Sequence, residues 1–195
     1  MNQSHNLTII SFVGPSGSGK STAMQMLASK YQILQERYME LNRHQLDNRL
    51  MLSKWAYIQY WFDSVLQSKA NGDTLLLTDR CPLDTCAYVR EGRFELLNVL
   101  TTSINELSAL GISVQKVLVT APFDILQTRI NLRLKTDTRR LSYNEEDVEH
   151  NRRAYEFYSE NAQLWDRIID TSIVAKPDLL LLFESAIANL TRDTL

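Results

Sequence analysis

The chain has 195 residues, a length that fits one domain with a full hydrophobic core. Hydrophobic residues make up 44% and charged residues 23%, and the formal net charge of −2 gives no electrostatic reason to expect a nucleic acid or a membrane surface as partner. Two cysteines are too few for a disulfide framework or a structural zinc site. With no long apolar run and no signal-peptide pattern, we expect residues 1–195 to form a single cytoplasmic domain.

The segment 14–22 reads Gly-Pro-Ser-Gly-Ser-Gly-Lys-Ser-Thr and matches the phosphate-binding loop pattern G-x-x-x-x-G-K-[ST]. An apolar, β-rich run at 7–13 precedes it and a run of helix formers at 23–28 follows it, which is the order that this motif requires. Glycine allows successive backbone N–H groups to surround an anion, and the helix adds its positive N-terminal end. We therefore predict that ATP binds at Gly14, Ser16, Gly17, Ser18, Gly19, Lys20, Ser21 and Thr22.

A second, short strand is predicted at 31–35, and a polar segment follows it. Ligands of parallel α/β sheets bind at the carboxyl ends of the strands. Glu36, Glu40 and Arg43 are therefore candidates for the acceptor side of the site. The alternative for each of them is a solvated loop charge.

A long helix is predicted over 43–70, and it carries an aromatic cluster. One helical face holds Trp55, Gln59 and Phe62, and another holds Tyr57, Tyr60 and Trp61. Such residues most often pack in a core or a dimer interface. The functional alternative is a pocket in which a base stacks and Gln59 binds its edge.

A buried strand predicted at 74–78 ends in Asp79 and Arg80. A carboxylate delivered beside the phosphate loop can hold Mg²⁺ together with Ser21 and the triphosphate. The guanidinium of Arg80 can bind a phosphate or the acceptor. A structural Asp–Arg pair at the strand end is the alternative.

The segment 71–88, which contains Asp79-Arg80-Cys81, resembles the Asp-Arg-Tyr region of thymidylate kinases and the Glu-Arg-Ser region of deoxynucleoside kinases. Both families are P-loop phosphotransferases. The resemblance continues in collinear order over nearly the whole chain. It implies a three-layer α/β/α P-loop fold with a parallel, five-stranded sheet, a helical lid and a homodimer formed through the long aromatic helix.

Basic residues are dense between 129 and 140, and a cluster of this kind is usually a solvated helix face. The resemblance implies instead that 133–143 is a lid whose arginines close over the transferring phosphoryl group, without deciding which of Arg133, Arg139 and Arg140 points inward. Farther along, Ser142 and Glu145 form a predicted capping box for a helix over 144–163.

The acceptor side departs from both families. Thymidylate kinases have an Arg-Glu-Pro-Gly-Gly segment after the second strand, where this chain has Glu40-Leu41-Asn42-Arg43-His44. Deoxynucleoside kinases place a carboxylate base near the position of Glu40, but their Glu-Arg-Ser reads Asp79-Arg80-Cys81 here. The acceptor therefore stays open between a nucleoside monophosphate, which needs an arginine, and a nucleoside, which profits from a base.

The function predicted from the sequence is Mg²⁺-dependent transfer of the ATP γ-phosphoryl group to a small nucleoside or nucleotide acceptor. Lys20 and the loop amides would hold the phosphates, Ser21 and Asp79 the metal, and Arg80 the acceptor. Two alternatives remain: a switch NTPase that hydrolyses its nucleotide, and a kinase for another small molecule or a polynucleotide end. The chain contains neither the Asn-Lys-x-Asp guanine-binding motif nor the Leu-Ser-Gly-Gly transporter signature.

Overall fold

The computed structural model describes residues 5–41 and 51–192. Its sheet has the order β2-β3-β1-β4-β5, with parallel pairing between all neighbours. The strands are β1 (Leu7–Val13), β2 (Ile33–Leu34), β3 (Leu75–Asp79), β4 (Ile112–Thr120) and β5 (Arg167–Asp170). The predicted parallel, five-stranded sheet is confirmed, although the second strand is shorter than the expected 31–35.

Seven α-helices are described along these two ranges, and short 3-10 segments join some of them. The helices are α1 (Lys20–Leu27), α2 (Tyr38–Leu41), α3 (Met51–Ala70), α4 (Arg93–Glu106), α5 (Phe123–Leu134), α6 (Val148–Glu160) and α7 (Lys176–Arg192). The 3-10 segments are Pro82–Tyr88, Leu107–Leu110, Thr138–Tyr143 and Ala162–Leu164. No helix in this part of the chain combines the length and the apolar character that crossing a membrane requires.

The central strand β1 is buried on both faces, which explains its nearly continuous apolar sequence. Successive side chains of a strand point to opposite faces, so Ile9 joins a core with α3, α4 and α6, while Ile10 joins a core with α1 and α7. Phe12 stacks on Phe183 of α7 with 4.7 Å between ring centroids. These two cores produce the predicted three layers.

The aromatic helix α3 divides its residues between the core and the surface. Tyr57 and Trp61 are buried in the core, as the packing interpretation expected. Trp55 is 45% exposed, and Gln59 is also exposed.

The predicted capping box at 142–145 is wrong. Helix α6 begins at Val148, and the side chain of Asp147 caps it by accepting hydrogen bonds from the N–H groups of Glu149 and His150 at 2.9 and 3.0 Å. Because Asp147 satisfies these N–H groups, the carboxylate of Glu145 is available for other partners.

Both cysteines lie in or beside the 3-10 segment that follows β3, and both are free and buried. Burial raises the pKa of Cys81 well above its usual value and that of Cys86 to about 12. Both thiols are core residues, as the sequence indicated.

Candidate active site

The phosphate-binding loop, residues 14–22, connects β1 to α1 at the carboxyl edge of the sheet. Gly14 has a φ of +139°, and a Cβ atom on it would lie 2.1 Å from the carbonyl oxygen of Val119 on β4. Only glycine fits such an approach. This close packing against the neighbouring strand sets where the loop leaves the sheet.

Lys20 folds back over the loop, and its side chain is buried. Its Nζ donates hydrogen bonds to the carbonyl oxygens of Gly14 and Pro15 at 2.7 and 2.9 Å and to Ser18 Oγ at 2.9 Å. Burial, and next the positive charge of Arg80, lower the pKa of Lys20 to about 7. An anion bound in the loop would favour its charged form.

Ser21 and Asp79 meet as the motif predicted, because β3 ends beside the start of α1. Ser21 Oγ donates a hydrogen bond to Asp79 Oδ2 at 3.0 Å. Asp79 Oδ1 is buried without a hydrogen-bond partner among the described residues, and burial raises the pKa of this carboxyl group. A hydroxyl and an unsatisfied carboxylate oxygen are suitable ligands for Mg²⁺ when phosphate oxygens complete its shell.

Arg80 turns into the site through an uncommon backbone conformation, with φ of 75°. Its Nε pairs with Glu36 Oε1 at 3.0 Å, and its Nη1 donates to the carbonyl oxygen of Gly14 at 3.2 Å. Glu36 follows the end of β2 and lines the same cavity as the loop. Among the described residues predicted for the acceptor side, Glu36 is therefore the carboxylate that lies beside the loop.

The other predicted acceptor residues lie elsewhere. Glu40 is on α2, pairs with Arg37 at 3.2 Å and has a side chain that is 70% exposed. The chain turns into a helix after Glu36, which carries Glu40 away from Arg80. Gln59 is exposed on α3 and does not line the cavity, and Arg43 lies outside the described residues.

Two of the three predicted lid arginines reach the cavity. Arg133, near the end of α5, and Arg140, in the following 3-10 segment, both line it and both contact Glu145. Arg139 lies in the same segment, but its side chain is outside the described part of the structure.

Arg129 joins the loop to the turn after β5. Its Nη2 donates to the carbonyl oxygen of Thr171 at 2.7 Å, and its Nη1 donates to the carbonyl oxygen of Gly17 at 3.4 Å. Val174 and Leu179 line the cavity beside it. This corner offers an apolar surface and a cation at one end of the loop.

Asp84 is a functional candidate that sequence reasoning missed. Its carboxylate is only 2% exposed and accepts hydrogen bonds from the N–H of Gly14 at 3.3 Å, from Arg80 Nη1 at 3.1 Å and from Tyr158 Oη at 2.7 Å. It therefore links the loop, the acceptor side and α6. The signal in the sequence was a single acid within the apolar and small residues 82–87.

A cavity of about 370 Å³ joins these elements, a size typical of a small-molecule site. Loop residues 16–22 form one wall, and the charged residues around it are Glu36, Arg80, Arg129, Arg133 and Arg140. Every predicted ATP-binding residue except Gly14 lines this cavity. The described residues contain no group of three or more His, Cys, Asp or Glu side chains placed to hold a metal, so a metal here would depend on phosphate ligands as well.

A strand, a glycine loop, a helix and a strand-end carboxylate on a parallel sheet together define a P-loop domain of the kinase fold. The family model described as an AAA domain matches residues 9–173, and the chain belongs to this family. None of the curated proteins matches the chain in sequence.

Solved structures of a deoxyadenosine kinase from M. mycoides share this fold. The structure with the products dCMP and a flexible dCDP has a TM-score of 0.60 and 18% identity, over 93% of this chain and 99% of that one. The structure with dATP has a TM-score of 0.59 and 17% identity, over 92% and 99% of the two chains, and the structure with dCTP has 0.53 and 19%, over the same shares. At these identities the likeness establishes the fold, and it confirms at that level the resemblance to P-loop nucleoside kinases.

Proposed function

We propose that this protein transfers the γ-phosphoryl group of ATP, with Mg²⁺, to a hydroxyl group of a nucleoside. The observation that carries the proposal is the position of Glu36, which pairs with Arg80 at 3.0 Å and lines the cavity that the phosphate-binding loop also lines. A carboxylate in this place can accept the proton of an attacking hydroxyl. Its charge would repel a phosphate acceptor, so of the two acceptors left open by the sequence the geometry favours the nucleoside.

The transfer needs a group that accepts the hydroxyl proton and positive groups that stabilise the negative charge on the phosphates. Glu36 would take the hydroxyl proton as the acceptor oxygen forms its bond to the γ-phosphorus. The bond from that phosphorus to the β–γ bridging oxygen breaks, and ADP leaves. Lys20 and the loop N–H groups would stabilise the charge on the phosphates, while Arg80 would orient Glu36 and the acceptor.

Ser21 and Asp79 would hold Mg²⁺, because their oxygens are 3.0 Å apart and Asp79 Oδ1 has no other partner among the described residues. The ion would neutralise charge on the phosphate oxygens. Arg133 and Arg140 would serve as the inward-facing arginines of a lid over 133–143, within one domain over 1–195. The M. mycoides deoxyadenosine kinase structures, which contain dCMP, dATP or dCTP, support a nucleoside or nucleotide of small size as the ligand class.

The proposal is tested with Glu36→Gln against Glu40→Gln. Removing a general base costs roughly 10²–10⁴ in rate, so Glu36→Gln should lose that much transfer to nucleosides. Glu40→Gln should stay near wild type, because Glu40 is exposed and pairs only with Arg37 among the described residues. Both variants are assayed with ATP and Mg²⁺ against a panel of nucleosides, nucleoside monophosphates and a reaction without acceptor.

Three results would contradict the proposal. Equal ATP hydrolysis with and without acceptors would identify a switch NTPase instead. Efficient transfer to monophosphates that survives Glu36→Gln would identify a nucleotide kinase. A large loss in Glu40→Gln alone would place the base on α2.

We also propose a homodimer formed through the exposed face of α3. Leu52, Trp55 and Leu66 share this face with 65%, 45% and 42% exposure, and exposed apolar residues grouped on one face can form an interface. Light scattering should show a dimer for the wild type and a monomer for Trp55→Glu. A monomeric wild type at micromolar concentration would contradict this part of the proposal.

A further inference from the structure

Glu145 joins residues 133–143, the basic segment, to the phosphate-binding loop. Its Oε2 accepts a hydrogen bond from Arg133 Nη2 at 2.6 Å, and its Oε1 accepts from Arg140 Nη1 at 3.1 Å and from Ser16 Oγ at 3.3 Å. Its side chain is only 9% exposed. One carboxylate therefore holds two arginines directly beside the loop.

The backbone of Glu145 is fixed from two helices. Asn151 Nδ2, on α6, donates hydrogen bonds to the carbonyl oxygen of Glu145 at 2.8 Å and to Gln127 Oε1 of α5 at 3.1 Å. Asn151 is itself buried. The carboxylate is thus held in a defined place between α5 and α6, unlike a charge on a solvated loop.

The charges around Glu145 explain why an anion is needed there. Arg133 and Arg140 share the cavity with Lys20 and Arg80, so several positively charged side chains line the same cleft. Asp137 pairs with Arg140 at 3.3 Å, whereas Glu145 contacts both arginines. A phosphoryl group offers the same kind of charged oxygens to guanidinium groups. Glu145 also contacts Ser16, which belongs to the loop. A triphosphate bound in the loop would therefore compete with this carboxylate for the guanidinium groups of Arg133 and Arg140.

We propose that Glu145 is a competing anion, which takes the place of a phosphoryl group when no nucleotide is bound. It gathers Arg133 and Arg140 beside Ser16 and releases them when nucleotide phosphates arrive. Without its charge, the guanidinium groups of Arg133 and Arg140 would bind the nucleotide phosphates with no carboxylate to displace. The inference rests on the proposed function only in that the loop binds a nucleoside triphosphate.

Glu145→Gln tests the proposal, and Glu146→Gln is the matched control because Glu146 is the adjacent, exposed glutamate. The amide keeps the shape of the side chain but removes the charge that competes with phosphate. Binding of a non-hydrolysable ATP analogue, measured by calorimetry without acceptor, should become about 3- to 10-fold tighter in Glu145→Gln, with a smaller change for ADP. Thermal unfolding of the empty variant should occur at a lower temperature, because two ion pairs lose their anion.

Tighter binding together with lower stability of the empty protein is the signature of a displaced anion. A residue that only braces the fold would lower stability and leave binding equal or weaker, and that result would overturn the proposal. Equal effects in Glu145→Gln and Glu146→Gln would overturn it too. Absence of analogue binding in the wild type would instead remove the proposed function, and this inference with it.

Glu145→Asp provides the test if Glu145→Gln does not fold. The shorter side chain keeps its charge but cannot reach both arginines and Ser16 together. Analogue binding should again tighten, by a smaller factor than about 3-fold. Unchanged or weaker binding in a folded Glu145→Asp protein would overturn the proposal.

Discussion

The cleft has two sides in the proposed reaction: a donor side at the phosphate-binding loop, residues 14–22, and an acceptor side at Glu36 and Arg80. The two sides differ in the contacts that fix their side chains. On the donor side, Lys20 binds the main chain of its own loop at Gly14 and Pro15, over a few residues of sequence. On the predicted acceptor side, Glu36 pairs with Arg80, which follows another strand, β3. Lys20 is thus held by contacts within its own loop, whereas Glu36 is held by a contact with a distant segment.

This difference affects how each side tolerates change. The loop geometry depends on glycine conformations and on the hydrogen bonds that Lys20 Nζ donates to loop carbonyl oxygens, and most substitutions outside the loop leave these intact. The place of Glu36 depends on side-chain pairs, which a single substitution can remove. In the proposed reaction, the acceptor side is therefore the side that a single substitution alters more easily.

The largest expected effect is on the donor side, for Lys20→Met. Removing a preorganised charge that stabilises the transferring group costs at least roughly 10²–10³ in kcat. Lys30→Met is the control, because Lys30 has a side chain that is 54% exposed and pairs with Glu184. Transfer assays with saturating acceptor measure both. Activity of Lys20→Met within a few-fold of the control would break the assignment of the donor side.

Asp79→Asn should raise the Mg²⁺ concentration that gives half-maximal activity by about 10- to 100-fold. Losses of this size are typical when a metal ligand, or a residue that orients one, is replaced. The neutral amide keeps the contact with Ser21 but attracts the ion less. Asp124→Asn, at an exposed position in the first turn of α5, serves as control. A metal titration of activity distinguishes the two, and identical curves would show that Asp79 does not help to hold the ion.

Asp84→Asn should affect both sides of the cleft, because Asp84 contacts Gly14 on the donor side and Arg80 on the acceptor side. The amide can no longer accept from Gly14, Arg80 and Tyr158 with a full charge, so we expect a rise of about tenfold in the KM of ATP and of the acceptor, and a loss of roughly 1–3 kcal/mol in the free energy of unfolding. Steady-state kinetics and denaturant unfolding measure these. A change in one KM alone would show that Asp84 serves only one side.

The smallest expected effect is an uptake of protons when nucleotide binds. The pKa of Lys20 is lowered to about 7 in the empty protein, so near pH 8 the amine is mostly neutral, whereas bound phosphates favour its charged form. Nucleotide binding near pH 8 should therefore take up a fraction of a proton, and affinity should fall as pH rises above 7; near pH 6 the uptake should vanish. Calorimetry in two buffers of different ionisation heat measures it.

Lys20→Arg is the control for this proton uptake, because arginine stays charged at both pH values. The control should bind nucleotide with no uptake from this position. Uptake that is equal in wild type and Lys20→Arg would assign the proton to another group.

The residues predicted for the donor side lie together in the structure because a contiguous motif determines their order. Residues 16–22 line one cavity, and Asp79 meets Ser21, since the end of an apolar strand can be located from its pattern. The five strands were found for the same reason, although pairing with β3 limits β2 to two residues.

The acceptor side was harder to predict because its residues owe their roles to distant partners. Glu36 and Glu40 lie close together in the sequence, but in the structure Glu36 pairs with Arg80, whereas Glu40 pairs with Arg37. Glu145 fitted a capping pattern, but Asp147 is the residue that caps α6. Asp84 gains its role by contact with Gly14, which lies 70 residues away in the chain. No local pattern contains this information.

The buried state of both cysteines has a practical consequence for spectroscopy. Cys81 and Cys86 are the chain's two thiols, and their burial and raised pKa values make them slow to react with alkylating reagents at neutral pH. A cysteine introduced at Leu141, which is 47% exposed in the basic segment, would therefore be labelled selectively without removing either native thiol. A fluorophore there would report on the segment as nucleotide is added, in a protein that otherwise keeps its natural sequence.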